Sequence, residues 1–127
     1  MGRLKDICFD CHDSWTLAHW WADVLGYRVR PHTAEDLEQL RAEGIDRLED
    51  DPNIALDPID VPGPSVWFCR VPEPKTVKNR MHIDVFGEVD ELLSRGATLV
   101  GEHPRWTVLA DPEGNEFCVF PLHAEAD

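Results

Sequence analysis

Polar and sulfur-containing side chains alternate with apolar ones in four short segments of the sequence. An alternation with a period of two places one set of side chains on each face of a strand. Polar groups are costly to bury without a purpose, so the polar face is the candidate site. Its members are Cys8, Asp10, Trp67, Cys69, His82, Asp84, Glu116 and Cys118. These residue types could ligate a metal ion, transfer a proton or bind a small molecule.

The order of predicted elements repeats along the chain. Residues 4–71 give strand, helix, strand, an extra helix, strand and strand, and residues 81–121 give strand, helix and three strands. Short segments recur in the same order: Cys8-Phe9-Asp10-Cys11 with His82-Ile83-Asp84-Val85, Leu25-Gly26 with Arg95-Gly96, Asp57-Pro58 with Asp111-Pro112, and Phe68-Cys69 with Phe117-Cys118. We predict an α+β fold in which two pseudo-symmetric βαβββ modules form one curved sheet with a cleft, with the helices on the outer face.

Local signals place the elements that carry these side chains. Asp13 or Ser14 begins a helix that ends at Gly26, and Thr33 begins a second helix, capped by Asp36, in an acidic and solvated segment. A strand is predicted over Met81–Phe86, so that His82 and Asp84 share its polar face. The remaining histidines and the basic residues of 75–80, Lys78 among them, are expected to be solvated.

Length and charge limit the possible functions. The 127 residues are enough for a single domain, 1–127, made of module 1 (4–72) and module 2 (79–121). Lys and Arg number 12 against 25 Asp and Glu, a formal charge of −13, which argues against nucleic acids and anionic membranes as partners. No apolar run approaches the roughly 20 residues of a membrane span, and residues 1–15 lack the charged start and apolar stretch that are typical of an export signal. We therefore predict a cytoplasmic protein with four reduced cysteines.

Three segments carry a resemblance to a known group of proteins. They are Trp20-Trp21 ahead of Leu25-Gly26-Tyr27, Lys78-Asn79-Arg80-Met81-His82-Ile83-Asp84, and Asp111-Pro112-Glu113-Gly114-Asn115-Glu116-Phe117. With the duplicated βαβββ order, they resemble the vicinal oxygen chelate superfamily, whose members include glyoxalase I, bleomycin-resistance proteins and extradiol dioxygenases. The nearest resemblance is to small glyoxalase-like proteins of bacteria. It covers almost the whole chain, and the Asp111–Phe117 segment is its most specific part.

The resemblance implies where a metal ion would be held. In metal-using members, the first and last strands of each module each supply a ligand. His82 and Glu116 keep both positions in module 2, whereas Cys8 stands in place of histidine and Trp67 in place of glutamate in module 1. An indole cannot ligate a metal. No cofactor is certain, and a divalent metal, if bound, is expected on His82, Glu116 and Cys8.

Three chemical interpretations of the site remain open. In the first, a metal ion is bound at the site just described, and Asp10 or Asp84 orients the histidine ligand without contacting the ion. In the second, His82 and Glu116 are an acid–base couple without a metal, or simply a hydrogen-bonded polar pair in a cavity. In the third, the cleft binds a flat ligand against Trp67 and Trp106.

We predict a glyoxalase-like small-molecule-binding protein that holds an aromatic or oxygenated ligand in the cleft. The ligand-binding residues would be Cys8, Asp10, Trp67, Asp84 and Trp106. Bleomycin-resistance relatives bind a drug in this way without reacting with it. The alternative is a metal-dependent lyase, isomerase or dioxygenase in which His82 and Glu116 are catalytic. The resemblance also implies a homodimer, since relatives often dimerise.

Overall fold

The computed structural model describes residues 1–123, which fall into two compact units, Met1–Pro74 and the residues from Lys75 onward. The elements of the first unit are β1 (Asp6–Cys11), α1 (Ser14–Leu25), β2 (Tyr27–Val29), α2 (Ala34–Ala42), β3 (Asn53–Pro58) and β4 (Ser65–Arg70). Those of the second are β5 (Asp84–Phe86), α3 (Val89–Ser94), β6 (Thr98–Glu102), β7 (Thr107–Ala110) and β8 (Glu116–Phe120). The α+β class and the two βαβββ modules are confirmed, with α2 as an addition to the first.

Each unit builds a four-stranded mixed sheet with the same strand order. The orders are β1-β4-β3-β2 and β5-β8-β7-β6, and in each sheet the first and last strands of the unit pair in parallel while the other pairs are antiparallel. The sequence predicted one curved sheet. The hydrogen bonds within residues 1–123 instead give one sheet per unit, because the first strand of each unit is paired with the last strand of the same unit.

Helix α1 packs on the buried side of the first sheet. Asp13 caps its start by accepting from the Thr16 backbone N–H at 3.1 Å, and Gly26 ends it in the left-handed region at φ 69°. Trp21 of the helix is buried, and its ring lies 5.9 Å from the ring of Phe9, which stacks at 5.2 Å on Phe68. These aromatic contacts fix the helix on the strands that carry Cys8 and Trp67 on their opposite face.

Helix α2 begins where the sequence predicted. Thr33 and Asp36 form a reciprocal capping box, with the Asp36 N–H donating to Thr33 Oγ1 at 3.1 Å and the Thr33 N–H donating to Asp36 Oδ2 at 2.8 Å. Leu40 is its buried residue and the rest of the helix is exposed or half-buried, in agreement with a solvated acidic segment.

The second unit has a smaller core. Its buried apolar side chains are Val85, Leu92, Ala97, Leu109, Ala110, Phe117 and Val119. On β8 the buried Phe117 and Val119 alternate with half-buried Glu116, Cys118 and Phe120, as a strand with one core face requires.

The predicted strand over Met81–Phe86 is shorter than expected. It runs only over Asp84–Phe86, and His82 lies before it in an irregular segment. Met81 and His82 are both exposed, so neither gains packing from joining the sheet, although the Cys118 N–H still donates to the Ile83 carbonyl at 3.0 Å. His82 is therefore positioned by a loop that leads into the strand.

Two further expectations can be compared with the described residues. No disulfide bond joins the four cysteines in the structure, and their reduced state stays a prediction. Within residues 1–123, no helix combines the length and apolar character that crossing a bilayer requires.

Candidate functional site

A buried aspartate organises the turn before β8. The carboxylate of Asp111 accepts from the backbone N–H groups of Glu113 and Asn115, both at 2.9 Å, and from the side-chain amide of Asn115 at 2.9 Å. Gly114 completes the turn at φ 87°, a conformation that favours glycine. The Asp-Pro-Glu-Gly-Asn segment thus has a structural role, which is to set where β8 begins.

The side chain of Glu116, at the start of β8, is held by a lysine. Lys78 Nζ donates to Glu116 Oε1 at 2.8 Å, and the Glu116 backbone N–H donates to Asn79 Oδ1 at 3.1 Å. The Lys78 hydrogen bond and charge lower the pKa of Glu116 below its usual value, and nearby Lys75 and His82 act in the same direction. Lys78 is 69% exposed, in agreement with the expectation that it is solvated, and the ordered turn also brings the Glu116 carboxylate within its reach.

His82, Asp84 and Cys118 lie together on the same unit. His82 Nε2 is 3.4 Å from Asp84 Oδ1, and one ligand atom from each of the three side chains lies within 4.8 Å of the others. The strand register explains the contact, since Asp84 of β5 is directly opposite Cys118 of β8. Burial raises the pKa of the Cys118 thiol, and the neighbouring Asp84 charge raises it further. The closest carboxylate contact of His82 is thus with Asp84, while Glu116 is paired with Lys78.

A cavity of about 730 Å³ opens beside this cluster. One side is aromatic, because Trp106 stacks on Phe120 at 6.1 Å between ring centroids and on His103 at 4.8 Å. The hairpin loop between β6 and β7 places Trp106, since the His103 N–H donates to the Trp106 carbonyl at 2.9 Å. The residues that line the cavity include His82, Asp84, Arg105, Trp106, Cys118 and Phe120.

The equivalent polar face of the first unit has a different composition. Cys8 and Asp10 are exposed on β1, and Asp10 is directly opposite Cys69 of β4. Burial raises the pKa of the Cys69 thiol, with further contributions from Cys8, which also hydrogen-bonds to it, and from Asp10. Trp67, opposite Cys8, lies beneath the guanidinium of Arg30, whose carbon is 5.1 Å from the ring centroid.

Arg30 is fixed over Trp67 by an acid. Arg30 Nε and Nη2 donate to the two carboxylate oxygens of Asp57 at 2.9 and 2.8 Å, and Ser65 Oγ donates to the same carboxylate at 2.6 Å. The Arg30 hydrogen bonds lower the pKa of Asp57 to about 2. The position that a ligating glutamate would need is therefore occupied by a tryptophan with its own cationic partner.

A smaller cavity lies in the first unit, beside Trp67. It measures about 210 Å³, below the roughly 300 Å³ of small-molecule sites. At its wall, His32 Nε2 is 2.7 Å from Asp51 Oδ2, and both side chains are 12% exposed. The expectation that His32 is solvated is wrong, because the loop before α2 folds back onto Asp51.

The structure brings some of the predicted residues together and leaves others apart. His82, Asp84 and Trp106 line one cavity in the second unit, whereas Cys8, Asp10 and Trp67 lie on the sheet of the first unit. Sequence analysis missed Arg105 and Phe120. Extending the alternation of β8 by two residues would have found Phe120, but no pattern marks Arg105, which lies in a hairpin loop.

Comparison with known proteins identifies the family. A family model described as a glyoxalase-like domain matches residues 6–120. The chain belongs to the glyoxalase-like family. This glyoxalase-like protein is thus a member of the vicinal oxygen chelate superfamily, as its sequence resemblance implied. No curated protein matches it in sequence.

Solved structures share the fold of the glyoxalase-like protein at low sequence identity. A glyoxalase/bleomycin resistance protein/dioxygenase family enzyme from Burkholderia phytofirmans PsJN is 17% identical, with a TM-score of 0.63, over 95% of this chain and 99% of that chain. TioX from Micromonospora sp. ML1 is 21% identical, with a TM-score of 0.54, over 94% and 98% of the two chains. A variant of the fosfomycin resistance protein FosX from Listeria monocytogenes is 12% identical, with a TM-score of 0.58, over 94% and 90%.

The FosX variant was solved with Mn(II) and 1S,2S-dihydroxypropylphosphonic acid. At two of the four positions that the resemblance implies for a metal, the residues of this glyoxalase-like protein have other partners. Trp67 offers no donor atom and stacks with Arg30, and Glu116 is neutralised by Lys78. Metal binding by His82, Glu116 and Cys8 stays a prediction, and it would require Glu116 to leave its lysine.

Proposed function

We propose that this protein binds a small aromatic or oxygenated molecule in the cavity of the second unit. The observation that supports the proposal is the row of stacked rings, Trp106 and Phe120, facing the polar group of His82 and Asp84. The volume of about 730 Å³ falls within the roughly 300 to 1,000 Å³ of small-molecule sites. Ligand sites of this kind combine an apolar wall with a few polar groups that fix orientation.

The cavity favours a flat ligand that carries an oxygen substituent. Aromatic side chains such as Trp106 and Phe120 pack well against another flat ring. Arg105 at the rim donates hydrogen bonds to a carboxylate, phenolate or carbonyl oxygen, and Asp84 accepts from a hydroxyl. Of the residues predicted from the sequence, Asp84 and Trp106 would contact such a ligand. A role for Cys8, Asp10 and Trp67 stays a prediction.

Calorimetric titration with naphthoate, a flat aromatic carboxylate, tests this proposal. Trp106→Leu should weaken naphthoate binding about tenfold, because loss of a stacking contact costs about 1.4 kcal/mol. Trp15→Leu is the matched control, since Trp15 is also a half-buried tryptophan but lies on α1 and lines no described cavity. Equal affinities for the two variants would contradict the proposal.

A second candidate function is a metal-dependent lyase, isomerase or dioxygenase reaction. The observation that favours it is the cluster of His82, Asp84 and Cys118 at the wall of the same cavity. The roles of His82 and Glu116 as catalytic residues belong to this alternative. Metal content of protein purified without chelator distinguishes it from binding alone, since near-stoichiometric metal that His82→Ala removes would favour the reaction.

A further inference from the structure

We propose that His82, Asp84 and Cys118 form a zinc site with one open coordination position that faces the cavity. This set shares only His82 with the positions at which the superfamily holds its metal. The proposal deepens the proposed function, because an ion held there would accept an oxygen atom of the bound molecule as its next ligand.

The donor types favour zinc. Imidazole nitrogen, carboxylate oxygen and thiolate sulfur are the three ligand types that Zn²⁺ takes in proteins, and a thiolate disfavours Mg²⁺ and Mn²⁺. Three protein ligands with a fourth, open position are typical of zinc sites that bind water or substrate. With two anionic ligands, Asp84 and the Cys118 thiolate, the charge of the ion would be balanced.

The geometry lies close to that of a tetrahedral site. Donor atoms around such a zinc ion lie about 3.4 to 3.8 Å apart, given zinc–ligand distances of about 2.0 to 2.3 Å. His82 Nε2 and Asp84 Oδ1 are already 3.4 Å apart. All three donors lie within 4.8 Å, so the widest gap needs to close by at most about 1.4 Å. His82 and Asp84 are 55% and 57% exposed, which leaves both side chains free to rotate.

Asp84 and Cys118 already lie in contact. The two residues are directly opposite each other in the strand register, and their side chains are hydrogen-bonded. A thiol that coordinates a divalent cation loses its proton to the solvent. Zinc binding should therefore release about one proton at neutral pH.

Lys78 is a cation close enough to this cluster to oppose a metal ion. Its ammonium group also acts on the Cys118 thiol, but it donates to Glu116 at 2.8 Å, and that carboxylate offsets its charge. Glu116 is thus assigned to Lys78 and not to the ion. This assignment separates the proposed donor set from the set of His82, Glu116 and Cys8.

Titration of chelator-treated protein with Co²⁺, as a spectroscopic substitute for Zn²⁺, tests the proposal. We expect a thiolate-to-cobalt charge-transfer band in the wild-type protein, lost in Cys118→Ser and retained in Cys8→Ser and Cys69→Ser. Competition with a chromophoric chelator should show that His82→Gln and Asp84→Asn each weaken Zn²⁺ binding about tenfold or more, since even an outer partner of a metal ligand is worth roughly 10- to 100-fold.

Glu116→Gln is the control that distinguishes the two donor sets. It should retain the cobalt band and weaken zinc binding much less than His82→Gln or Asp84→Asn, because it only leaves the charge of Lys78 without its partner. The proposal is overturned by the absence of a band in the wild type, by a band that survives in Cys118→Ser, or by its loss in Glu116→Gln. Naphthoate binding by the chelator-treated protein reports on the proposed function separately: binding without a cobalt band refutes only the zinc site, and a band without naphthoate binding refutes only the proposed ligand.

Discussion

At the scale of single residues, the strongest electrostatic feature is the carboxylate of Asp57. It accepts two hydrogen bonds from Arg30 and one from Ser65, and it connects β3 with the residue after β2 and with the start of β4. Both members of the ion pair keep contact with solvent, with side-chain exposures of 43% for Arg30 and 23% for Asp57, so the pair is worth less than a fully buried one.

The Asp57 ion pair predicts how stability depends on pH. The pKa of the Asp57 carboxyl in the folded protein, about 2, is below the ordinary 3.8. The contribution of the ion pair to stability is therefore complete above about pH 4 and is lost as the pH falls toward 2. Asp57→Asn should lower the free energy of unfolding at pH 7 by about 1 kcal/mol. Urea denaturation between pH 7 and pH 2 should show a shallower acid decline in the variant. Asp60→Asn, in the exposed loop that follows β3, should behave as the wild type.

The pairing of His82 also illustrates what residue patterns can predict. Alternation along the strands correctly placed Asp84 and Cys118 on one face, because side-chain direction in a strand follows from position alone. Alternation cannot predict which carboxylate a loop residue meets. His82 lies before β5, and the path of residues 75–83 decides which carboxylate it contacts. Along that path Lys78 pairs with Glu116, and His82 lies beside Asp84.

At the scale of elements, the turn between β7 and β8 is the feature on which the position of β8 depends. The buried carboxylate of Asp111 satisfies two backbone N–H groups and one side-chain amide. Asp111→Ala leaves these buried donors without a partner and should cost about 2 to 3 kcal/mol of stability. Thermal or urea unfolding measures the loss. Glu102→Ala removes an exposed carboxylate of the same unit, and a loss of equal size there would contradict this explanation.

Elements with clear end signals were predicted well, and elements without them were not. Asp13 and Thr33 gave the starts of α1 and α2 because a side-chain cap is a local interaction. The end of β5 nearest His82 was misplaced because apolar character alone does not make a strand where no packing partner is available. The formation of one sheet per unit depends on pairing between distant strands, which the sequence does not encode locally.

At the scale of the whole molecule, net charge governs association. The chain carries a formal charge of −13, so two copies repel each other at low salt. The homodimer predicted from the family resemblance should therefore form more readily as ionic strength rises and screens this repulsion. Light scattering coupled to size-exclusion chromatography at low and high salt measures it. A monomeric mass at every salt and protein concentration would contradict the prediction.

The parallel pairing of the first and last strands has a consequence for local opening. In the second unit, β5 has three residues and lies at one end of the strand order, next to β8, whereas β7 and β8 pair with each other over four residues. Release of β5 would leave the pairing of the antiparallel strands β6, β7 and β8 intact. The amide protons of β5 should therefore exchange with deuterated solvent earlier than those of β7. Asp84 lies on that strand, so transient detachment of β5 would also separate Asp84 from Cys118, its partner on β8.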